Sequence, residues 1–196
     1  MLQPKRIGLF FGSFNPVHIV HLIIAEYMAT RTELDQVWFV VSPHNPLKNR
    51  ATLANDFDRL HMVQLAIDDN TRLRASNIEF SLPKPSYTID TMVYLHEKYP
   101  QHQFSLIMGS DNLSGIQKWK NFELLLQRYT IHIYKREETS VSPTLDIPAD
   151  IRLYDVPMMD ISSTYIRQSI ASGLSIRYMV PEPVFQFLEG SRLYRQ

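Results

Sequence analysis

The stretch Ile7–Leu22, IGLFFGSFNPVHIVHL, decides how this chain is read. It begins inside a nearly continuous apolar run, Arg6–Phe11, the pattern of a strand buried on both faces. Gly12 interrupts the run, and from His18 to Thr30 apolar residues recur at Leu22, Ile23, Ala25 and Met28 with the rhythm of a helix. Pro16 suits the first turn of that helix. A helix N-terminus presents free N–H groups and partial positive charge, so it holds anions, and Gly12 lets the backbone come close to one. His18 and His21, three residues apart, point to one side of a helix that begins near Val17. Such a pair serves a metal, a proton transfer, phosphate oxygens, or packing alone. Zinc needs a third ligand; the chain has no cysteine, and Glu26 is the one carboxylate within reach. The strand–glycine–helix setting favours phosphate oxygens over a local packing role.

The whole chain agrees with a single packed enzyme-sized unit. Its 196 residues are 44% hydrophobic and 20% charged, an ordinary globular balance. Twenty basic residues offset twenty acidic ones, which argues against a general nucleic-acid footprint or an anionic membrane surface, though not against an anionic ligand in one pocket. The absence of cysteine removes disulfides and thiol nucleophiles and fits a reducing cytoplasm. The N-terminus lacks a signal-sequence pattern, and no run is long enough to span a bilayer.

Beyond the first strand and helix, short apolar runs keep alternating with amphipathic segments. Strands are expected at Gln36–Val41, Arg72–Phe80, Phe104–Met108, Thr130–Tyr134 and Ile151–Val156. Helices are expected at Phe57–Ile67, capped by Asn55 or Asp56, and at Thr88–Tyr99, capped by Ser86 or Thr88. Three more fall at Phe122–Leu126, Ser162–Ala171 and Pro181–Leu188. Lys135–Asp150, polar and carrying Pro143 and Pro148, reads as a mobile surface loop. The β-α-β-α order implies an α/β fold, an open parallel sheet with helices on both faces. Residues 1–196 form one domain on this reading, with 162–196 as its C-terminal helical part. In such sheets ligands bind beyond the carboxyl ends of the strands, which directs attention to GSFNPVH, SPHNPLK, MGSDN, YKRE and MMDISSTYIR. Gly12 and Gly109, two of only six glycines, fall there.

In the last of these, Ser162, Ser163 and Thr164 make a hydroxyl-rich helix start and Arg167 follows one turn later. A capped helix with a surface arginine has the same letters. As a phosphate device the segment is also coherent, with hydroxyls and N–H groups holding oxygens while a guanidinium neutralises charge.

GSFNPVHIVH resembles the HxGH motif of the nucleotidyltransferase superfamily, and ISSTYIR resembles the ISSTxIR signature near that superfamily's C-terminal end. The resemblance implies a Rossmann-like fold of the nucleotidyltransferase type. It implies catalytic roles for His18, His21 and Arg167, and ATP contacts from Gly12, Ser13, Phe14, Ser162, Ser163 and Thr164. Val20 stands where the motif usually has glycine; a helical valine has no φ problem, so its cost is steric, narrowing the space beside the nucleotide.

The remaining strand ends discriminate within the superfamily. Pantetheine-phosphate adenylyltransferases usually have Thr where His18 stands. The RTxGISTT signature of glycerol-phosphate cytidylyltransferases is missing, as is the KMSKS motif of class I aminoacyl-tRNA synthetases. KPSYTIDTM (Lys84–Met92) with MGSDNLSGIQKWKNFELLL (Met108–Leu126) is similar to bacterial nicotinate-mononucleotide adenylyltransferases, a likeness that runs from Arg6 to about Leu188. It implies that Gly109 and Asp111 meet the nucleotide and that the Tyr87–Thr88 backbone holds the pyridine carboxylate. Trp119 stacks on the ring, and Lys48 and Arg136 contact the mononucleotide. A pyridinium suits an indole face. Leu47 takes the place of the family's usual histidine in SPHNPLK, with His44 a candidate replacement.

The implied reaction is adenylyl transfer from ATP to nicotinate mononucleotide, giving nicotinate adenine dinucleotide and pyrophosphate, with Mg2+ carried on ATP and no separate protein metal site. Two alternatives stay open: an adenylyltransferase for nicotinamide mononucleotide or another small phosphate, and a nucleotide-binding sensor without chemistry, which Val20 and Leu47 keep in view.

Overall fold

The computed structural model describes residues 3–43, 53–135 and 149–195. Six strands, β1 (Arg6–Gly12), β2 (Gln36–Val41), β3 (Leu73–Ser76), β4 (Gln103–Gly109), β5 (Ile131–Tyr134) and β6 (Ile151–Tyr154), form one sheet in the order β3-β2-β1-β4-β5-β6. Every neighbouring pair is parallel. The chain moves outward from β1 to β3, then returns to the other side of β1 with β4. The order therefore reverses between β1 and β4, and in open α/β sheets a ligand crevice lies at that reversal. Pairing of Phe10 with Ile107 brings Gly12 and Gly109 out together at its mouth.

Alternating side chains on each buried strand supply two apolar layers. Ile7 and Leu9 of β1, Trp38 and Val40 of β2, and Leu106 and Met108 of β4 face one side. There they meet Ile89, Met92 and Leu95 of α3 (Thr88–Lys98) and Leu125 and Leu126 of α5 (Phe122–Arg128). Phe10, Val37, Phe39, Val41 and Ile107 face the other. That layer is closed by α1 (Ile19–Arg31), α2 (Asp56–Ile67), α6 (Ser163–Ala171) and α7 (Glu182–Glu189), through Ile24, Met62, Ile166 and Val184 among others. No helix among the described residues is long and apolar enough to cross a membrane.

Three local expectations are corrected. Pro16 is not in the first turn of α1: it follows a cis Asn15–Pro16 bond in a turn before the helix, which starts at Ile19 with His18 at the cap position (φ −147°, ψ 171°). The third strand does not reach Phe80. It stops at Ser76, and Ile78–Ser81 turns into a 3₁₀ helix. Helix α3 is capped by neither Ser86 nor Thr88, since Tyr87 holds the cap position and the Ser86 hydroxyl bonds Glu79. Where the cap residue has no competing partner the expectation holds, as with the Asn55 side chain accepting from the Phe57 N–H and Ser162 from that of Tyr165. A short helix, α4 (Ser110–Leu113), and a 3₁₀ turn at Ile116–Lys118 were not foreseen.

Candidate active site

The loop after β1 is built around aromatic packing. Phe14 takes a left-handed backbone conformation (φ 44°), which turns its ring inward among Phe10, Phe39 and His21. That ring lies where a Cβ on Gly12 would be, 2.8 Å from its nearest carbon, so the glycine is required here by the protein's own packing. Phe14 is thus a floor beneath the loop rather than part of its open face. Val20 is likewise buried in the apolar cluster of α1 and α2, its isopropyl group directed into the core.

His18 and His21 face one another with ring centroids 3.8 Å apart. The His18 backbone N–H donates to His21 Nδ1 at 3.2 Å, much as a glutamate at the third helical position reaches back to a cap residue. In the neutral imidazole one nitrogen accepts and the other carries the proton. A neutral His21 therefore carries its proton on Nε2.

From the far end of the chain, α6 is fastened to this loop. Ser163 Oγ donates to the Pro16 carbonyl at 2.9 Å across 147 positions of sequence. Arg167 Nη1 donates to the Asn15 carbonyl at 2.9 Å, and its Nη2 to Thr164 Oγ1 at 3.2 Å. The hydroxyl-rich helix start is thus held against the loop that leads into the histidine pair. Gly109 and Asp111 enter from β4 and the first turn of α4; a Cβ at Gly109 would collide with the Asp111 carboxylate, which folds back over it.

Tyr87 and Thr88 form the start of α3. Trp119, half-buried, packs at the edge of the α3–α5 layer. Lys120 joins these two segments, with its ammonium 2.8 Å from Asp90 Oδ2 and 4.9 Å from the Tyr87 ring centroid. Lys48 and Arg136, together with His44 and Leu47, lie outside the described residues.

Sequence reading missed the groups that hold these parts in register. Arg59 on α2 is fully buried, and each guanidinium N–H finds an oxygen. Its Nε donates to Ala54 O, Nη1 to Ser13 O (2.5 Å) and Ser42 O (2.9 Å), and Nη2 to Pro43 O and Asp56 Oδ1. A charged residue in register with Met62, Val63 and Ile67 on the buried face of α2 was the available signal. Glu79, 2% exposed, accepts from Thr91 Oγ1 (2.8 Å), Ser86 Oγ (3.2 Å) and the Ser42 hydroxyl. Hydrogen bonds therefore run from the loop after β1, through Arg59 and Ser42, to Glu79 and the start of α3.

Burial raises the Glu79 carboxyl pKa above its ordinary 4.5, with the three hydroxyl donors opposing the shift. A carboxyl whose pKa is raised on folding contributes stability that is complete below the unfolded value. That contribution is lost as pH rises through the folded one. Glu79→Gln cannot ionise and is expected to remove this decline above about pH 4.5. Thermal melts of both proteins across pH measure it; parallel curves would contradict the assignment.

Among the described residues no three His, Asp or Glu side chains converge as a metal cage would need. The polar side chains of this loop and helix start are imidazoles, hydroxyls and a guanidinium, a set suited to phosphate oxygens.

Comparison with known proteins defines the class first. The cytidylyltransferase-like family model matches residues 9–169, from within β1 through both motifs and the other five strands. A Cytophaga hutchinsonii protein named as a probable nicotinate-nucleotide adenylyltransferase is 50% identical over 189 residues, covering 96% of this chain and 98% of that one. A Flavobacterium psychrophilum protein of the same name is 46% identical over 192 residues, covering 97% and 100%. The chain belongs to the nicotinate-nucleotide adenylyltransferase family. The fold agrees with that of a Plasmodium falciparum nicotinic acid mononucleotide adenylyltransferase complexed with NaAD (TM-score 0.82, 20% identity, 97% of both chains).

Proposed function

We propose that this protein transfers the adenylyl group of ATP to nicotinate mononucleotide, releasing pyrophosphate and forming nicotinate adenine dinucleotide for NAD biosynthesis. The observation that supports the reading is the fastening of α6 to the loop after β1, through hydrogen bonds of Ser163 and Arg167 to the two residues that precede the Val17–His18 entry into α1.

An oxygen of the mononucleotide 5′-phosphate attacks the α-phosphorus of ATP in line. The new P–O bond forms as the bond to the β-phosphate oxygen breaks, and pyrophosphate leaves with that electron pair. The nucleophile is already anionic near neutral pH, so positioning and charge stabilisation supply the catalysis. In this reading His18 and the Nε2–H of His21 donate to triphosphate oxygens. Arg167 and the α6 start at Ser162, Ser163 and Thr164 hold the departing pyrophosphate. Gly12, Ser13 and Phe14 shape the loop, and Gly109 and Asp111 border the nucleotide. The α3 start at Tyr87 and Thr88 takes the pyridine carboxylate, Trp119 the ring, and Lys48 and Arg136 the mononucleotide phosphate. Mg2+ enters with ATP, held by phosphates and water. Residues 1–196 act as one domain in which 162–196 is the C-terminal helical part.

Pyrophosphate release from ATP, measured in parallel with nicotinate and nicotinamide mononucleotide, tests the proposal. Faster release with nicotinate is expected. Preference for the amide would move the chain to the alternative acceptor, and binding of ATP without release in either arm would make it a sensor.

A further inference from the structure

Arg167 can hold a leaving pyrophosphate only if its guanidinium is aimed. Two groups aim it in this structure, Thr164 Oγ1 on its own helix and, from another part of the fold, the Asn15 carbonyl. What fixes Asn15 comes from the last residues of the chain. We propose that Tyr194 is a positioning residue for the triphosphate end of the site, acting through Asn15 on Arg167. The inference rests on the role given to Arg167 above.

Asn15 is 4% exposed, and its side-chain oxygen accepts from Tyr194 Oη at 2.6 Å and from the Ala54 N–H at 3.1 Å. A carboxamide oxygen has two lone pairs, and these two donors use both, so the amide is set in one orientation. The two residues are 179 positions apart, so the bond ties the chain's end to the loop after β1. The backbone of Tyr194 is left-handed (φ 63°), a conformation that residues other than glycine adopt at a cost and that persists where surrounding structure demands it. Its ring, with Leu193, packs against the apolar cluster that includes α7 and α2. Burial raises the phenol pKa far above any working pH, and the nearby Arg167 and Arg59 guanidiniums only partly offset this, so the hydroxyl remains a donor throughout. Arg59, through the Ser13 carbonyl, holds the same loop from its other side. The loop is thus braced at Ser13, Asn15 and Pro16 by three separate elements, and the brace on Asn15 is the one that reaches Arg167.

Tyr194→Phe keeps the ring and removes the hydroxyl. In pyrophosphate release, kcat/KM for ATP is expected to fall about ten-fold while KM for nicotinate mononucleotide stays within about two-fold. In an Arg167→Ala background the same substitution should cost less than about two-fold, because the group it orients is gone. Calorimetric affinity for a non-hydrolysable ATP analogue gives the same comparison if turnover of Arg167→Ala is too slow to read. Equal loss in both backgrounds would make Tyr194 a merely structural tie, and no loss in the parent protein would remove any role; either overturns the inference. A parent protein that releases no pyrophosphate with any mononucleotide would instead overturn the proposed function, and the analogue titration still decides on Tyr194.

Discussion

Replacement of His18 by alanine is expected to lower the rate of pyrophosphate release by about 10²–10³-fold, the usual consequence of deleting one preorganised donor to a developing oxyanion. His18 is 5% exposed, its imidazole close against that of His21 and tilted 39° to it at the N-terminus of α1, where backbone N–H groups already favour negative charge. In the proposed role, its removal takes away a donor whose orientation cost is met on folding, and water admitted in its place must reorganise during the reaction. Stability should change much less. The His21 contact to the His18 backbone N–H survives the substitution, because it uses the main chain of residue 18. A loss near 1 kcal/mol would lower the melting temperature by about 2–4 °C in a chain of this size. Steady-state turnover and a thermal melt on the same preparation separate the two effects. A folded variant with parental turnover would remove His18 from the chemistry.

The largest effect on folding is expected at Arg59. Arg59→Met keeps the length and apolar stem of the side chain but leaves the Ser13, Ser42, Pro43 and Ala54 carbonyls and the Asp56 carboxylate without their partner. Asp56, whose side chain is 27% exposed, keeps Lys84 at 3.6 Å, but each carbonyl left inside without a donor costs about 1–3 kcal/mol. Set against a total stability of about 5–15 kcal/mol, that is a large part of the whole. Burial lowers the Arg59 pKa from its ordinary value, the Asp56 carboxylate opposing, yet a guanidinium stays charged in proteins. The desolvation cost is therefore present already and is offset only while all five oxygens are in place. Arg59→Lys offers three donors in a different geometry and should recover only part of the loss. Urea midpoints of the three proteins measure this. A midpoint for Arg59→Met equal to that of the parent would show that the carbonyls find other donors.

Local pattern was enough for much of the architecture. The apolar runs at Arg6–Phe11 and Gln36–Val41 and the helical rhythms of α1 and α2 are properties of neighbouring residues, and they stand within a residue or two of their expected bounds. Expectation failed where a distant partner competed with the local preference. Ser86 is a good helix cap by itself, but a buried carboxylate seven residues back takes its hydroxyl. The stretch from Arg72 to Phe80 reads as one strand until Glu79 is seen to require three hydroxyl donors, which a 3₁₀ turn delivers and an extended chain does not. Arg59 was passed over because arginine is rarely fully buried.

By itself, then, the sequence determined the order of strands and helices, the histidine pair behind a buried strand, and the hydroxyl–arginine helix start, since each depends on residues within a turn or two of one another. Only the tertiary structure decided that α6 closes on the loop after β1, that Arg59 and Glu79 tie the phosphate side to the start of α3, and that Tyr194 reaches Asn15. The reason is physical: buried carbonyls, carboxylates and guanidiniums must each find a partner on leaving water, and which partner is in reach is set by how the sheet brings remote segments together.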